Sequence, residues 1–101
     1  MNVDECVRAY ADANPECWVP ALVRDTCENH STLFAGLLQQ QSIGAEVIGG
    51  FQMEGNVILQ GHFATLTDGS VIDWTARQFD PAADVPLIMP LTQWRQTWRT
   101  L

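Results

Sequence analysis

The sequence predicts an α+β domain with an antiparallel sheet and helices packed against it. Two observations carry this. Helical spacing of apolar residues opens and closes the chain, and between them lie β-rich segments. Two of those segments flank Asp68-Gly69, a dipeptide suited to a two-residue hairpin turn. The element order α, α, β, β, β, α with short connections is that of helices laid on an antiparallel sheet. Residues 1–101 read as a single domain, long enough to bury a core without staples.

Residues 3–13 form the first expected helix. Val3, Val7, Tyr10 and Ala11 share a face, and Asn14-Pro15 ends it. Residues 14–24, with two prolines, read as an irregular or short helical connection. The second helix is expected from about residue 26 to about residue 43. Asp25 or Thr26 is placed to cap it, Glu28 to complete a capping box with Asp25, and Gly44 to stop it. Its apolar stripe runs through Cys27, Ser31, Phe34, Leu38 and Gln41, with Leu37 beside it.

Strands are expected at 45–51, 57–66 and 70–75, with residues 53–56 as the first turn. The segment after Phe79 reads as irregular. Leu91, Trp94, Trp98 and Leu101 then lie at helical spacing behind Pro90.

Composition narrows the function. A net charge of −7 repels phosphate backbones, so nucleic acid is not expected as a partner. The apolar runs are too short for a membrane span and the acidic start does not read as a signal peptide. A soluble, cytoplasmic protein is expected, with delivery as an effector compatible with its size. Three cysteines without a CxxC pair fit neither a disulfide framework nor a zinc knuckle. The chain has five Arg and no Lys, so it offers no side-chain amine for self-crosslinking.

The hairpin turn fixes a register. Thr67 would face Ser70, Ala64 would face Asp73, and His62 would face Thr75. His62, Ala64, Leu66, Val71, Asp73 and Thr75 then share one face. His62 and Asp73 become diagonal neighbours, close enough for an imidazole and a carboxylate to meet. A one-residue slip would separate them. The opposite face carries Phe63, Thr65, Ile72 and Trp74, and the helix with Trp94 and Trp98 is the expected cover for it. Asp73 has a second reading as an acceptor of main-chain N–H groups at a strand end.

Cys27 falls in the first turn of the long helix, where the helix dipole stabilises a thiolate. A neighbouring imidazolium stabilises it further, and an aspartate on the far imidazole nitrogen orients the ring. Cys27, His62 and Asp73 thus have the residue types and settings of a thiol acyl-transfer site.

With "DTCENHSTLFAGLLQQQSIGAEVIGGF" and "GHFATLTDGSVIDWTARQF" in this order, residues 25–76 resemble the transglutaminase-like branch of the papain-like cysteine proteins. The resemblance implies a central helix carrying the cysteine, packed against an antiparallel sheet that supplies His and Asp from successive strands. It implies Cys27 as nucleophile, His62 as general base and acid, and Asp73 as its orienting group. The implied activity is amide hydrolysis or acyl transfer on a protein or peptide substrate. A protein glutamine side chain is the first choice, a peptide bond the second and crosslinking the third. No cofactor is implied.

The oxyanion partner is not fixed by a motif. The N–H of Cys27 is one donor, with Trp18 or Asn14 as candidates for another and Gln78, beside Arg77, as a candidate cleft residue. A non-catalytic binding module on the same fold is the alternative from another class. His30 is a rival base, or a zinc partner of Cys17, Cys27 and His62. No standard zinc spacing fits, so no metal is expected. Cys6 and Cys17 are expected to be structural, and Arg95 and Arg99 to lie on the solvent face of the last helix. Oligomeric state is not legible.

Overall fold

The computed structural model describes residues 1–100. It is an α+β fold with a four-stranded antiparallel sheet in the simple order β1-β2-β3-β4. Leu101, expected in the last helix stripe, lies outside the described residues.

The first helix, α1, is Val3–Ala13. Asn2 caps it by accepting the Glu5 N–H, and Glu5 accepts the Asn2 N–H in return. This capping box satisfies two N–H groups that would otherwise be orphaned. A 3₁₀ turn, Pro15–Trp18, and a short helix α2, Pro20–Val23, fill the connection.

The long helix α3 is Cys27–Gln40. The expected capping box at its start does not form. Asp25 takes a positive φ of 62°, and the Thr26 hydroxyl donates back to the Val23 carbonyl at 2.8 Å. Its end also differs from expectation. Ser42, not Gly44, adopts the left-handed conformation, with φ 59°. Ser42 N–H donates to Gln39 O and Ile43 N–H to Leu38 O, a Schellman closure with Ile43 and Leu38 in one apolar cluster.

The strands are β1 Glu46–Glu54, β2 Val57–Thr67, β3 Ser70–Asp73 and β4 Leu87–Pro90. The β1–β2 turn is tighter than expected, at Gly55-Asn56 with Gly55 φ 61°. Strand β4 was not expected. It is only four residues long, so it shows no alternation to read, yet it pairs Ile88 with Ile72 and Leu87 with Asp73. The last helix, α4, is Leu91–Thr97. Past it, Arg99 pairs with Phe51 of β1 through both main-chain bonds.

Both faces of the sheet are covered. Ile72 of β3 and the following Trp74 pack with Cys6, Tyr10, Cys17, Val23, Phe34 and Leu38 from the N-terminal helical layer. On the opposite face Ala64 and Val71 pack with Trp94 and Trp98. The expected placement of the tryptophans is therefore corrected: they cover the His62 face, and α1 and α3 cover the Ile72 face. The first two helices already fill the Ile72 and Trp74 side, which leaves the other face for the tryptophans. Arg95 is likewise not a free surface residue. Its guanidinium donates to the Gly49 carbonyl at 2.7 Å and lies over the Trp94 ring, tying α4 to β1. Among the described residues no helix is long and apolar enough to cross a membrane.

Gly50 sets how closely the tail of α4 approaches β1. A Cβ there would lie 2.8 Å from Trp98 Cβ and 2.9 Å from its main-chain carbon. Gly36, within α3, has open space instead. Gly50→Ala should therefore lower unfolding free energy by about 1–3 kcal/mol through overpacking. Gly36→Ala should raise it by up to about 1 kcal/mol through helix propensity. Urea denaturation of the two variants checks both signs.

Candidate active site

The Asp68-Gly69 turn holds the expected register, with Thr67 opposite Ser70 and Thr65 opposite Ile72. The ladder stops there, short of the pairs expected for Ala64 and His62. Asp73 instead pairs with Leu87 of β4. The diagonal nevertheless closes. His62 Nε2 lies 2.6 Å from Asp73 Oδ2, and both residues are buried. Asp73 also fills its second reading, since Oδ1 accepts the Thr75 N–H at 3.0 Å. One carboxylate thus ends β3 and holds the imidazole.

His62 is enclosed by aromatic rings. Phe79 meets it edge-on with centroids 4.9 Å apart, and Trp98 lies over it at 4.8 Å. Only 1 % of the residue is exposed. With Nε2 taken by Asp73, Nδ1 is buried and has no hydrogen-bond partner. The Cys27 thiol is the other titratable group that acts on the ring.

Cys27 is half-buried, whereas Cys6 and Cys17 are fully enclosed. Its sulfur receives two main-chain N–H groups, from Glu28 in the first turn of α3 and from Phe63 in β2. The Phe63 N–H lies beyond the end of the β2–β3 ladder, where β3 no longer pairs with β2. The sequence gave no sign of this donor, because it depends on where the ladder stops.

The electrostatics are mutual. Burial alone would raise the Cys27 thiol, but the neighbouring His62 imidazole, the Phe63 N–H and the Glu28 N–H together bring it below its ordinary value. Burial alone would lower His62. The bond to Asp73 and the thiol of Cys27 outweigh it and raise His62 to about 9.

The other named candidates make contacts of their own. The Asn14 amide donates to the Tyr10 carbonyl at 2.8 Å, closing α1. Trp18 is exposed, and its carbonyl accepts from Arg77 at 3.2 Å. Gln78 donates to the Thr75 hydroxyl at 3.0 Å. His30 is buried and faces Tyr10 and Cys17, not Cys27 and His62. An apolar cleft of about 230 Å³ runs between Phe79, Leu87, Met89 and Trp98, with Asp73 in its wall and neither Cys27 nor His62 lining it.

Compared with protein-family models, curated proteins and solved structures, the chain gives no match.

The His62 proton is held more tightly in the folded than in the unfolded chain. Its contribution to stability is complete below about pH 6.5 and is lost as pH rises through about 9. An NMR titration of the His62 imidazole should show a midpoint near 9. In Asp73→Asn the midpoint should fall by at least about one unit, the scale of losing a charged hydrogen-bond partner.

Proposed function

We propose that this chain is a cysteine-dependent amide hydrolase or acyltransferase built on a papain-like, transglutaminase-like core. The observation that carries this reading is one imidazole held between two groups. Asp73 grips Nε2 at 2.6 Å, and the same imidazole, with the Phe63 and Glu28 N–H groups, draws the thiol of the partly exposed Cys27 below its ordinary pKa. A stabilised thiolate next to an imidazolium is a nucleophile and an acid in one unit.

The chemistry follows from these positions. The Cys27 thiolate attacks the amide carbonyl carbon and forms a C–S bond. The His62 imidazolium gives its proton to the departing nitrogen, and the C–N bond breaks. A thioester remains. Water then attacks it, His62 takes the water proton, and the C–S bond breaks to release a carboxylic acid and the thiolate. Asp73 holds the ring on one axis and supports its positive charge through both steps.

A protein glutamine side chain is the first substrate class, since its loss of ammonia needs little beyond this constellation. A peptide bond is the second.

Labelling with iodoacetamide at pH 6, followed by peptide mapping, is the direct test. Cys27 should label much faster than Cys6 or Cys17, and His62→Ala should remove that advantage. Equal and slow labelling of all three cysteines in wild type would overturn the reading and leave a protein-binding module on the same fold. Ammonia release from glutaminyl peptides should then vanish in Cys27→Ala and fall by roughly 10²–10⁴-fold in Asp73→Asn. Its acylation step should decline as pH rises through about 9, because the imidazolium that protonates the leaving nitrogen is lost.

A further inference from the structure

We propose that the open edge of β2 beside Cys27 holds the substrate, and that the substrate is an extended peptide segment paired with Gly61. This deepens the reading of Cys27 as a nucleophile and rests on it.

Strand β2 runs Val57–Thr67, but its ladder with β3 covers only Thr65–Thr67. The pairings on the other side of β2 fix where its remaining main-chain groups point. Phe51 of β1 exchanges both main-chain bonds with Arg99, so its N–H and C=O point away from β2. Gly61 is the residue opposite Phe51. In an antiparallel ladder two residues so placed exchange no bonds with each other, and the groups of both point outward. The N–H and C=O of Gly61 therefore face the edge that β3 leaves open. The same alternation puts the Phe63 N–H on that edge, where it reaches the Cys27 sulfur. Gly61 itself is exposed, and among the described residues its main-chain groups have no partner on this side.

This edge is unguarded. Residues 57–63 include no Asp, Glu, Lys, Arg or Pro. Open edges are usually blunted by charge or proline because they recruit further strands. Val57, Ile58, Leu59 and Phe63 are exposed along it. The outer edge of β1, by contrast, is closed at Phe51 by Arg99. A register shift between Gln52 and Met53 bends the far end of the hairpin, so the regular part of the open edge is the stretch that leads to Cys27.

An added strand takes its affinity from main-chain bonds and its selectivity from side-chain contacts. Gly61 supplies one donor and one acceptor. Phe63 lies two residues on, about 7 Å along the strand. There the main-chain donor is already given to the sulfur, so pairing stops and the reacting amide meets the thiol instead of a ladder. Exposed Leu59 and Phe63 favour apolar residues beside that amide. The net charge of −7 disfavours acidic ones. An extended partner also excludes a glutamine held on a folded helix. The substrate class is an unfolded segment or a loop.

The test uses the full chain carrying Cys27→Ser, which lacks the thiol, and a heptapeptide of Leu, Val and Thr around a central Gln. Titration followed by amide NMR should shift Gly61 and its strand neighbours first. Hydrogen exchange at the Gly61 amide should slow at least about tenfold at saturation. Methylating the peptide nitrogens one at a time should weaken binding at least about tenfold at the nitrogen that faces the Gly61 carbonyl, and far less at the nitrogens on either side of it. Absence of binding at millimolar peptide overturns the proposal. So do shifts centred on the Trp98 cleft or on β1, or an affinity indifferent to methylation. With fast iodoacetamide labelling of Cys27 in wild type, these results leave the reading of the thiol standing. Slow labelling, with pairing at Gly61 intact, overturns that reading and with it the substrate role of the edge.

Discussion

The bond between His62 and Asp73 is the constraint on which the rest of the site depends. It spans two strands at the point where their ladder has ended, so no main-chain pairing between β2 and β3 holds that end of the hairpin. The carboxylate does two things at once. Oδ2 fixes the ring, while Oδ1 takes the Thr75 N–H and turns the chain out of β3. That turn leads into the 3₁₀ segment Ala76–Gln78, and Phe79 follows directly onto the edge of the same imidazole. The group that orients His62 therefore also delivers part of its cover. A buried imidazolium needs this: an enclosed charge without a partner is expensive, and the Asp73 carboxylate makes it tolerable.

The second requirement is a sheet covered on both faces. The α1–α3 layer buries Ile72 and Trp74 and sets Cys27 at the start of α3. The α4 layer buries Ala64 and Val71 and lays Trp98 on His62. Cysteine and histidine thus belong to opposite layers and meet where β3 parts from β2. Gly50, with no side chain, lets Trp98 come down onto β1, and Arg95 fastens α4 to the Gly49 carbonyl. A shift of α4 would loosen the ring of His62 before it touched Cys27.

Much of this was legible in the sequence because a period-2 pattern and a two-residue turn leave little freedom. Asp68-Gly69 fixed the register that brings His62 to Asp73, and the face assignment of Ala64, Leu66 and Val71 followed from it. The α+β class and the helix carrying Cys27 were legible from spacing. What was not legible depends on contacts distant in the chain. Strand β4 is too short to show a period and exists because β3 offers it an edge. The layer occupied by Trp94 and Trp98 turns on which face α1 and α3 fill first. The Phe63 N–H became a donor to sulfur because the ladder ended two residues earlier. His30 lies one turn from Cys27 on the same helix, yet its partners come from the 3₁₀ turn and α1, which no local pattern reveals.

Stabilising a thiolate has two opposed effects, and their balance favours the proposed chemistry. Two N–H groups and an imidazolium hold the Cys27 sulfur, so more of it is ionised near neutral pH. Each unit of lowered pKa multiplies the thiolate fraction by up to about ten while the thiol is mostly protonated, yet reduces intrinsic nucleophilicity by only about threefold. The net effect on attack is a gain until the thiol pKa falls to the ambient pH. The same stabilisation makes the sulfur a better leaving group from the thioester, which speeds the second half of the reaction. Burial of His62 adds a direction. With 1 % of that residue exposed, the proposed reaction would have the substrate approach over the partly open face of Cys27, its departing nitrogen taking the proton from a ring it does not displace. Under the proposed mechanism the partly exposed Cys27 would leave a thioester open to solvent, which favours water as its acceptor.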